Sequence, residues 1–181
     1  GIYLEPGADE NRIQGNYIGT DVTGTKALPN GRVWPPASIY IQGCRNLIGG
    51  EEPGAGNLIS GNYCPELYPE MGGHGILIED QNWGQLDTVG NVIQGNLIGT
   101  DVTGTKPLPN LWGILFRGGA ETIIGGSSEA ARNVISGNAC TAIGGFGIWD
   151  TAGASTRHRI EGNYLGTDIT GMALLSNGSD Q

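Results

Sequence analysis

The chain has 181 residues, the length of one domain, and its 34 glycines follow no Gly-X-Y period, which excludes a collagen-like triple helix. Eighteen acidic against nine basic residues give a net charge of −9, and a surface of that sign repels phosphate backbones, so nucleic acid is excluded as a partner. No apolar run approaches the ~20 residues of a membrane-crossing helix, so no membrane insertion is expected.

A period is visible from the first coil onward. Residues 11–30 read NRIQGNYIGTDVTGTKALPN, residues 91–110 repeat them as NVIQGNLIGTDVTGTKPLPN, and residues 158–177 carry a worn copy, HRIEGNYLGTDITGMALLSN. A second kind of repeat alternates with the first: NLIGGEEPGAGNLISGN over residues 46–62 and TIIGGSSEAARNVISGN over residues 122–138. Self-similarity at this spacing signals a stacked repeat architecture and outranks any local reading of secondary structure.

In chain order, five segments open alike: Gly1-Ile2-Tyr3-Leu4, Ser38-Ile39-Tyr40-Ile41, Gly75-Ile76-Leu77-Ile78, Gly113-Ile114-Leu115-Phe116 and Gly147-Ile148-Trp149-Asp150. Two more short strands built on N-x-I follow each opening. Glycine and β-branched residues are too dense for helix, and no 3.6-residue period persists. Three short strands per repeat suit a triangular coil whose successive turns pair in parallel about 4.8 Å apart. The expectation is a single all-β solenoid domain over residues 1–181, with coils at approximately 1–37, 38–74, 75–112, 113–146 and 147–181.

Three inward columns are predicted. The first strand supplies Ile2, Ile39, Ile76, Ile114 and Ile148, the second Ile13, Ile48, Ile93, Ile124 and Ile160, and the third Ile18, Ile59, Ile98, Ile135 and Leu165. Two residues past each second-strand Ile stands Gly15, Gly50, Gly95, Gly126 or Gly162, as a corner at positive φ would require. Asn16, Asn57, Asn96, Asn133 and Asn163 precede the third strand and are expected to bond up and down the stack as an amide ladder.

The combination GI-x-I, N-x-IGG, N-x-ISGN and IGTD-x-TG resembles the right-handed parallel β-helix repeat proteins, the pectate-lyase-like superfamily and in particular its repetitive bacterial extracellular members. The resemblance covers essentially the whole chain. It implies a right-handed parallel β-helix of five coils of three short strands, with long excursions leaving one corner, and an extracellular or cell-surface location. That superfamily holds lyases, hydrolases, epimerases, adhesins and inert scaffolds, so fold alone assigns no activity.

Asp21, Asp101 and Asp168 recur in the GTD-x-TG turn and are the candidates for a metal, calcium. The repeat register favours a structural role instead, a turn column reading Asp21, Asn62, Asp101, Asn138, Asp168 in which an amide separates carboxylates. No resident cofactor is expected. Gly73-His74-Gly75 is similar to a G-H-G element of polygalacturonases, which makes His74 the nearest to a catalytic candidate, but the adjacent aspartates those enzymes need are missing. A polysaccharide lyase would need a basic residue as base, and Arg117 and Arg45 stand isolated. His158 replaces an Asn and is read as a ladder substitution. Among the cysteines, Cys64 and Cys140 fall two layers apart, roughly 9–10 Å, too far to bridge, whereas Cys44 lies within reach of Cys64.

Outward positions are unusually apolar: Tyr3, Tyr40, Leu77, Leu115 and Trp149 on the first strand, and Tyr17, Leu58, Leu97, Val134 and Tyr164 on the third. Excursions after the third strand bring Trp34, Tyr68, Leu108, Trp112 and Phe146, which are expected to fold back over the third face. Tyr3, Tyr40 and Trp149 are the candidate binding residues, for a polysaccharide or another protein. The reading that follows is a non-catalytic, extracellular structural module that is surface-associated or self-assembles into fibres, with self-association or other surface proteins as partners. The alternative is a polysaccharide-binding or polysaccharide-processing β-helix, lyase-like or hydrolase-like.

Overall fold

A computed structural model describes residues 1–30, 37–63, 72–81, 87–145 and 155–178. Coil one holds β1 (Ile2–Leu4), β2 (Arg12–Ile13) and β3 (Tyr17–Ile18), and coil two holds β4 (Ala37–Ile41), β5 (Leu47–Gly49) and β6 (Leu58–Ile59). Coil three holds β7 (His74–Glu79), β8 (Val92–Gln94) and β9 (Leu97–Ile98). Coil four holds β10 (Trp112–Arg117), β11 (Ile123–Gly125) and β12 (Val134–Ile135), and coil five holds β13 (Thr141–Gly145), β14 (Arg159–Glu161) and β15 (Tyr164–Leu165). They form three five-stranded sheets, β1-β4-β7-β10-β13, β2-β5-β8-β11-β14 and β3-β6-β9-β12-β15. Every pairing is parallel and every sheet takes one strand from each coil, so the chain is a parallel β-helix solenoid.

The isoleucine columns pair in register, Ile39 with Ile76 and Ile76 with Ile114, and likewise Ile48 with Ile93 and Ile59 with Ile98. All nine inward Ile of coils two to four are 0% exposed. Each contributes roughly 1.5–3 kcal/mol by leaving water, and a β-branched side chain fits the pleat without losing much rotamer freedom. Toward coil five the shaft opens, with Ile160 at 48% and Leu165 at 47% exposure.

Coil five departs from expectation on its first strand. Ile143, not Ile148, pairs with Ile114. The cause is the turn before it: Ala139 N–H donates to Asn110 O and Cys140 N–H to Leu111 O, so the chain re-enters the sheet directly after Ser136-Gly137-Asn138. No excursion intervenes there, and Ile148 and Trp149 lie outside the described residues. The corner glycines also differ in one place. Gly15, Gly50, Gly95 and Gly162 take positive φ, but in coil four the turn is carried by Gly125 (φ 86°) rather than Gly126.

The amide ladder over Asn16, Asn57, Asn96, Asn133 and Asn163 is complete. Each Asn Oδ1 accepts from both the N–H and the Nδ2–H of the Asn one coil earlier, at 2.9–3.2 Å. The Nδ2 also reaches an isoleucine carbonyl of the preceding coil, as from Asn96 to Ile48 at 2.9 Å. Two further ladders occupy the other corners. One runs through Asn11, Asn46 and Asn91. The other joins Asn30, Asn62, Asn110, Asn138 and Asn177. This last ladder overturns the expected column of alternating Asp and Asn: Asn62 and Asn138 stack on asparagines, not between the aspartates.

Close approach of the next coil and of the third ladder accounts for the glycine that opens coils three and four. A Cβ at Gly75 would lie 3.1 Å from Asn110 Nδ2 and 2.5 Å from Gly113 O, and one at Gly113 only 2.7 Å from Ile135. Truncating a buried rung strands the donors of the rung above. Asn96→Ala removes the acceptor of two Asn57 donors and is expected to cost at least about 2 kcal/mol. Asn16→Ala, at the exposed end, is expected to cost under about 1 kcal/mol. Urea denaturation of both variants measures the difference, and equal costs would refute a cumulative ladder.

Candidate functional site

The first sheet's outer face carries most of the residues that the sequence put forward. Tyr3, Tyr40, Leu77 and Leu115 pair in register there. Tyr3 is 45% exposed, but Tyr40 is 4% exposed and both leucines are at 0%. The Tyr3 and Tyr40 rings stack with centroids 4.7 Å apart, and Tyr3 Oη donates to Gln42 Oε1 at 2.7 Å. Trp112 packs on Ala37, Tyr40, Leu77 and Leu115. It therefore covers the first face rather than the third, because it begins β10 instead of ending a loop. This face is an outer core, and Tyr40 presents no open ring to a ligand.

Tyr40 and His74 are both held in their neutral forms at neutral pH. Tyr40 Oη donates to the buried Glu79 carboxylate. Burial, and then that hydrogen bond, pushes the Tyr40 phenol far above its ordinary value. His74 is 2% exposed and opposite Ala37, and burial, reinforced by the Arg117 guanidinium, pushes it down to about 4. Its Nδ1 finds no hydrogen-bond partner among the described residues. Arg117 pairs in register with Glu79 on β7. Arg45 is not isolated either, forming ion pairs with Asp9 at 3.3 Å and Glu10 at 3.0 Å.

His158 takes the Asn position of the corner between first and second strands, as its place in the repeat implied, but the ladder is interrupted at Thr122, whose buried Oγ1 has no partner among the described residues. Its Nδ1 accepts the Thr122 N–H at 3.2 Å, its Nε2 meets Ser155 Oγ, and its ring packs on Phe116. The thiols of Cys44 and Cys140 are free, and that of Cys44 donates to Asp87 O. Cys64 lies outside the described residues, as do Trp34, Tyr68 and Phe146.

The three recurrent aspartates form turns. Each heads a hairpin closed by an antiparallel bridge, Thr20 with Ala27, Thr100 with Pro107 and Thr167 with Leu174. Asp21 Oδ1 accepts from Thr23 Oγ1, Thr25 N and Lys26 N, and Asp101 and Asp168 repeat the pattern. The Thr170 hydroxyl, with the amides of Ala173, Met172 and Thr170, holds the Asp168 carboxyl below its usual range against partial burial. Donors converge on Oδ1 of each aspartate, and no cluster of three His, Cys, Asp or Glu side chains able to hold a metal ion occurs among the described residues.

These hairpins lie over the third face and bond to one another, skipping a coil: Val102 N–H donates to Gly24 O and Ile169 N–H to Gly104 O. They wall one side of a groove floored by the register Tyr17, Leu58, Leu97, Val134, Tyr164. The opposite wall is the loop between second and third strands in coils two and four. A cavity of about 600 Å³ at one end is lined by Tyr17, Glu51, Glu52, Leu58, Leu97 and Val102. It adjoins one of about 300 Å³ lined by Leu97, Glu129, Arg132, Val134 and Ile169. The outward residues of this floor were legible in the sequence. The walls were not, because hairpin and loop residues meet only once the coils stack.

Comparison with protein-family models, curated proteins and solved structures finds no match.

One titration follows from the first face. The folded chain holds His74 at about 4 against 6.5 for the free side chain, so the unfolded chain takes up the proton first as pH falls. The stabilisation is full above about pH 6.5 and declines toward about pH 4 by on the order of 3 kcal/mol. Urea unfolding of wild type and His74→Leu across that window reads it out: the variant should show the shallower pH dependence, and parallel curves would contradict the assignment.

Proposed function

We propose that this chain is an extracellular structural β-helix module that is surface-associated or self-assembles into fibres, a non-catalytic member of the repetitive bacterial branch of the pectate-lyase-like superfamily. One observation carries the reading. The polar residues that recur from coil to coil are spent on holding coil to coil: three asparagine ladders and a column of mutually bonded aspartate hairpins. Repetition of this kind adds length and rigidity with each coil. A catalytic site, by contrast, is singular.

The edges support assembly. Every rung donates in the same direction, from one coil to the next. Asn11 and Asn16 at one edge therefore carry Oδ1 acceptors, and Asn163 at the other carries an N–H, none with a partner among the described residues. Edge strands with unpaired backbone are templates for another strand, and a head-to-tail contact of unlike faces propagates without closing. In hydrogen-bond polarity a further coil fits either edge, and one without an aspartate hairpin also keeps the two-coil spacing of the hairpins. The half-exposed Ile160 and Leu165 supply the apolar contact.

The polysaccharide reading rested on the first-strand aromatics, and burial of Tyr40 withdraws support from that face. Electron microscopy and sedimentation of the purified protein test the structural reading. Fibres with an axial rise of about 4.8 Å per coil are expected, abolished by Ile160→Arg paired with Leu165→Arg. A protein that stays monomeric at all concentrations and cleaves a panel of acidic and neutral polysaccharides would overturn it.

A further inference from the structure

The groove on the third face has two ends built from loops of the same length but different charge, one balanced and one acidic. In coil four, residues 126–133 read GSSEAARN, and in coil two the matching residues 50–57 read GEEPGAGN. Arg132 of the first loop lays its guanidinium 4.3 Å above the Tyr164 ring, and its Nε donates to Gly162 O at 3.0 Å. A planar cation on an outward tyrosine is thus already the way this groove is filled at that end, an arrangement worth about 0.5–2 kcal/mol.

At the other end the cation is missing and the anions are doubled. Gly56 holds Arg132's position in the repeat, although it faces Gly95 of coil three rather than Tyr17 of coil one, and Glu51 and Glu52 replace Ser127 and Ser128. The tyrosine of that end, Tyr17, is 49% exposed beside the 600 Å³ cavity that both glutamates line. Glu51 is held in place by Ser128 Oγ at 2.7 Å, and neither glutamate pairs with Lys or Arg among the described residues. The floor between them, Leu58 and Leu97, is apolar and suits the methylene stem of a long cationic side chain.

We propose that this end of the groove is a docking site for an extended polypeptide segment bearing arginine. The guanidinium stacks on Tyr17 as Arg132 does on Tyr164, and the Glu51 and Glu52 carboxylates take its N–H donors, which match a carboxylate better than an ammonium does. The net charge of −9 draws such a segment in from a distance. This surface goes beyond the structural reading and does not depend on it, since a peptide would lie along the side of the rod; because Tyr17 stands on the edge strand β3, binding and fibre formation are measured separately.

The test uses a short capped peptide with two arginines separated by glycine, titrated into the full chain and followed by NMR or calorimetry. Saturable binding is expected, weakened about tenfold by Tyr17→Ala and by Glu51→Gln with Glu52→Gln, retained in Tyr17→Phe, and weaker for the lysine peptide. Tyr3→Ala, on another face, serves as the control for an exposed tyrosine. Affinity that follows salt concentration alone and ignores Tyr17 would mean diffuse attraction to net charge and would overturn the site. So would Tyr17-dependent binding of a neutral oligosaccharide with none of the peptide. Thermal melts of each variant separate lost binding from lost fold, and fibre formation is scored independently.

Discussion

The side-chain amide of asparagine, held one coil above its own equivalent, is the constraint from which the rest of this molecule follows. A solenoid corner must turn the backbone sharply, and a sharp turn leaves N–H and C=O groups that the sheets cannot pair. Here the Asn Oδ1 absorbs two donors of the coil before, while Nδ2 reaches back to an isoleucine carbonyl. The corner is satisfied only if equivalent residues superpose. That requirement fixes the register of all three sheets and so the alignment of the isoleucines inside them. Hydrophobic burial supplies the larger free energy, but an apolar shaft alone would tolerate slippage between coils.

The alternation of two repeat types has a steric cause. Hairpins in coils one, three and five bond directly to one another, Gly24 to Val102 and Gly104 to Ile169, across the intervening coil. A Cβ at Gly24 or Gly104 would come within 2.7 Å of the next hairpin's Cβ, so the column is already close-packed at a spacing of two coils. Hairpins on adjacent coils would compete for that space. The SGN coils leave it open, and their loops between second and third strands form the other wall of the groove.

How far the sequence disclosed this depends on whether the signal was local. The isoleucine columns, the ladder through Asn57, Asn96 and Asn133, and His158 as a replacement rung could all be read because each sits at constant offset from its strand. The ladder through Asn62, Asn110 and Asn138 could not. An eight-residue hairpin separates the third strand from Asn110 but not from Asn138, so counting along the chain set Asn138 beside Asp101 instead. The LPN of one repeat type and the SGN of the other are the same corner, a match visible only in three dimensions. Coil five misled for a related reason: Gly147-Ile148 repeats the opening letters, but hydrogen bonds at Ala139 and Cys140 start the strand earlier. Sequence also concealed a left-handed corner at Glu10, Arg45, Gly90, Glu121 and Arg157, since only the middle one is glycine. On either side of Gly90 an acid and a base form an ion pair across coils.

The uniform direction of the rungs has an electrostatic result. Each amide in a column points its carbonyl toward coil one and donates one Nδ2–H to the next rung toward coil five, so the rung-to-rung bonds share one direction and neighbouring amides polarise one another. Three such columns give the rod a fixed polarity along its length, as aligned peptide units do in an α-helix. The ladders' own contribution is negative toward coil one and positive toward coil five, and it comes from side-chain amides, which do not titrate.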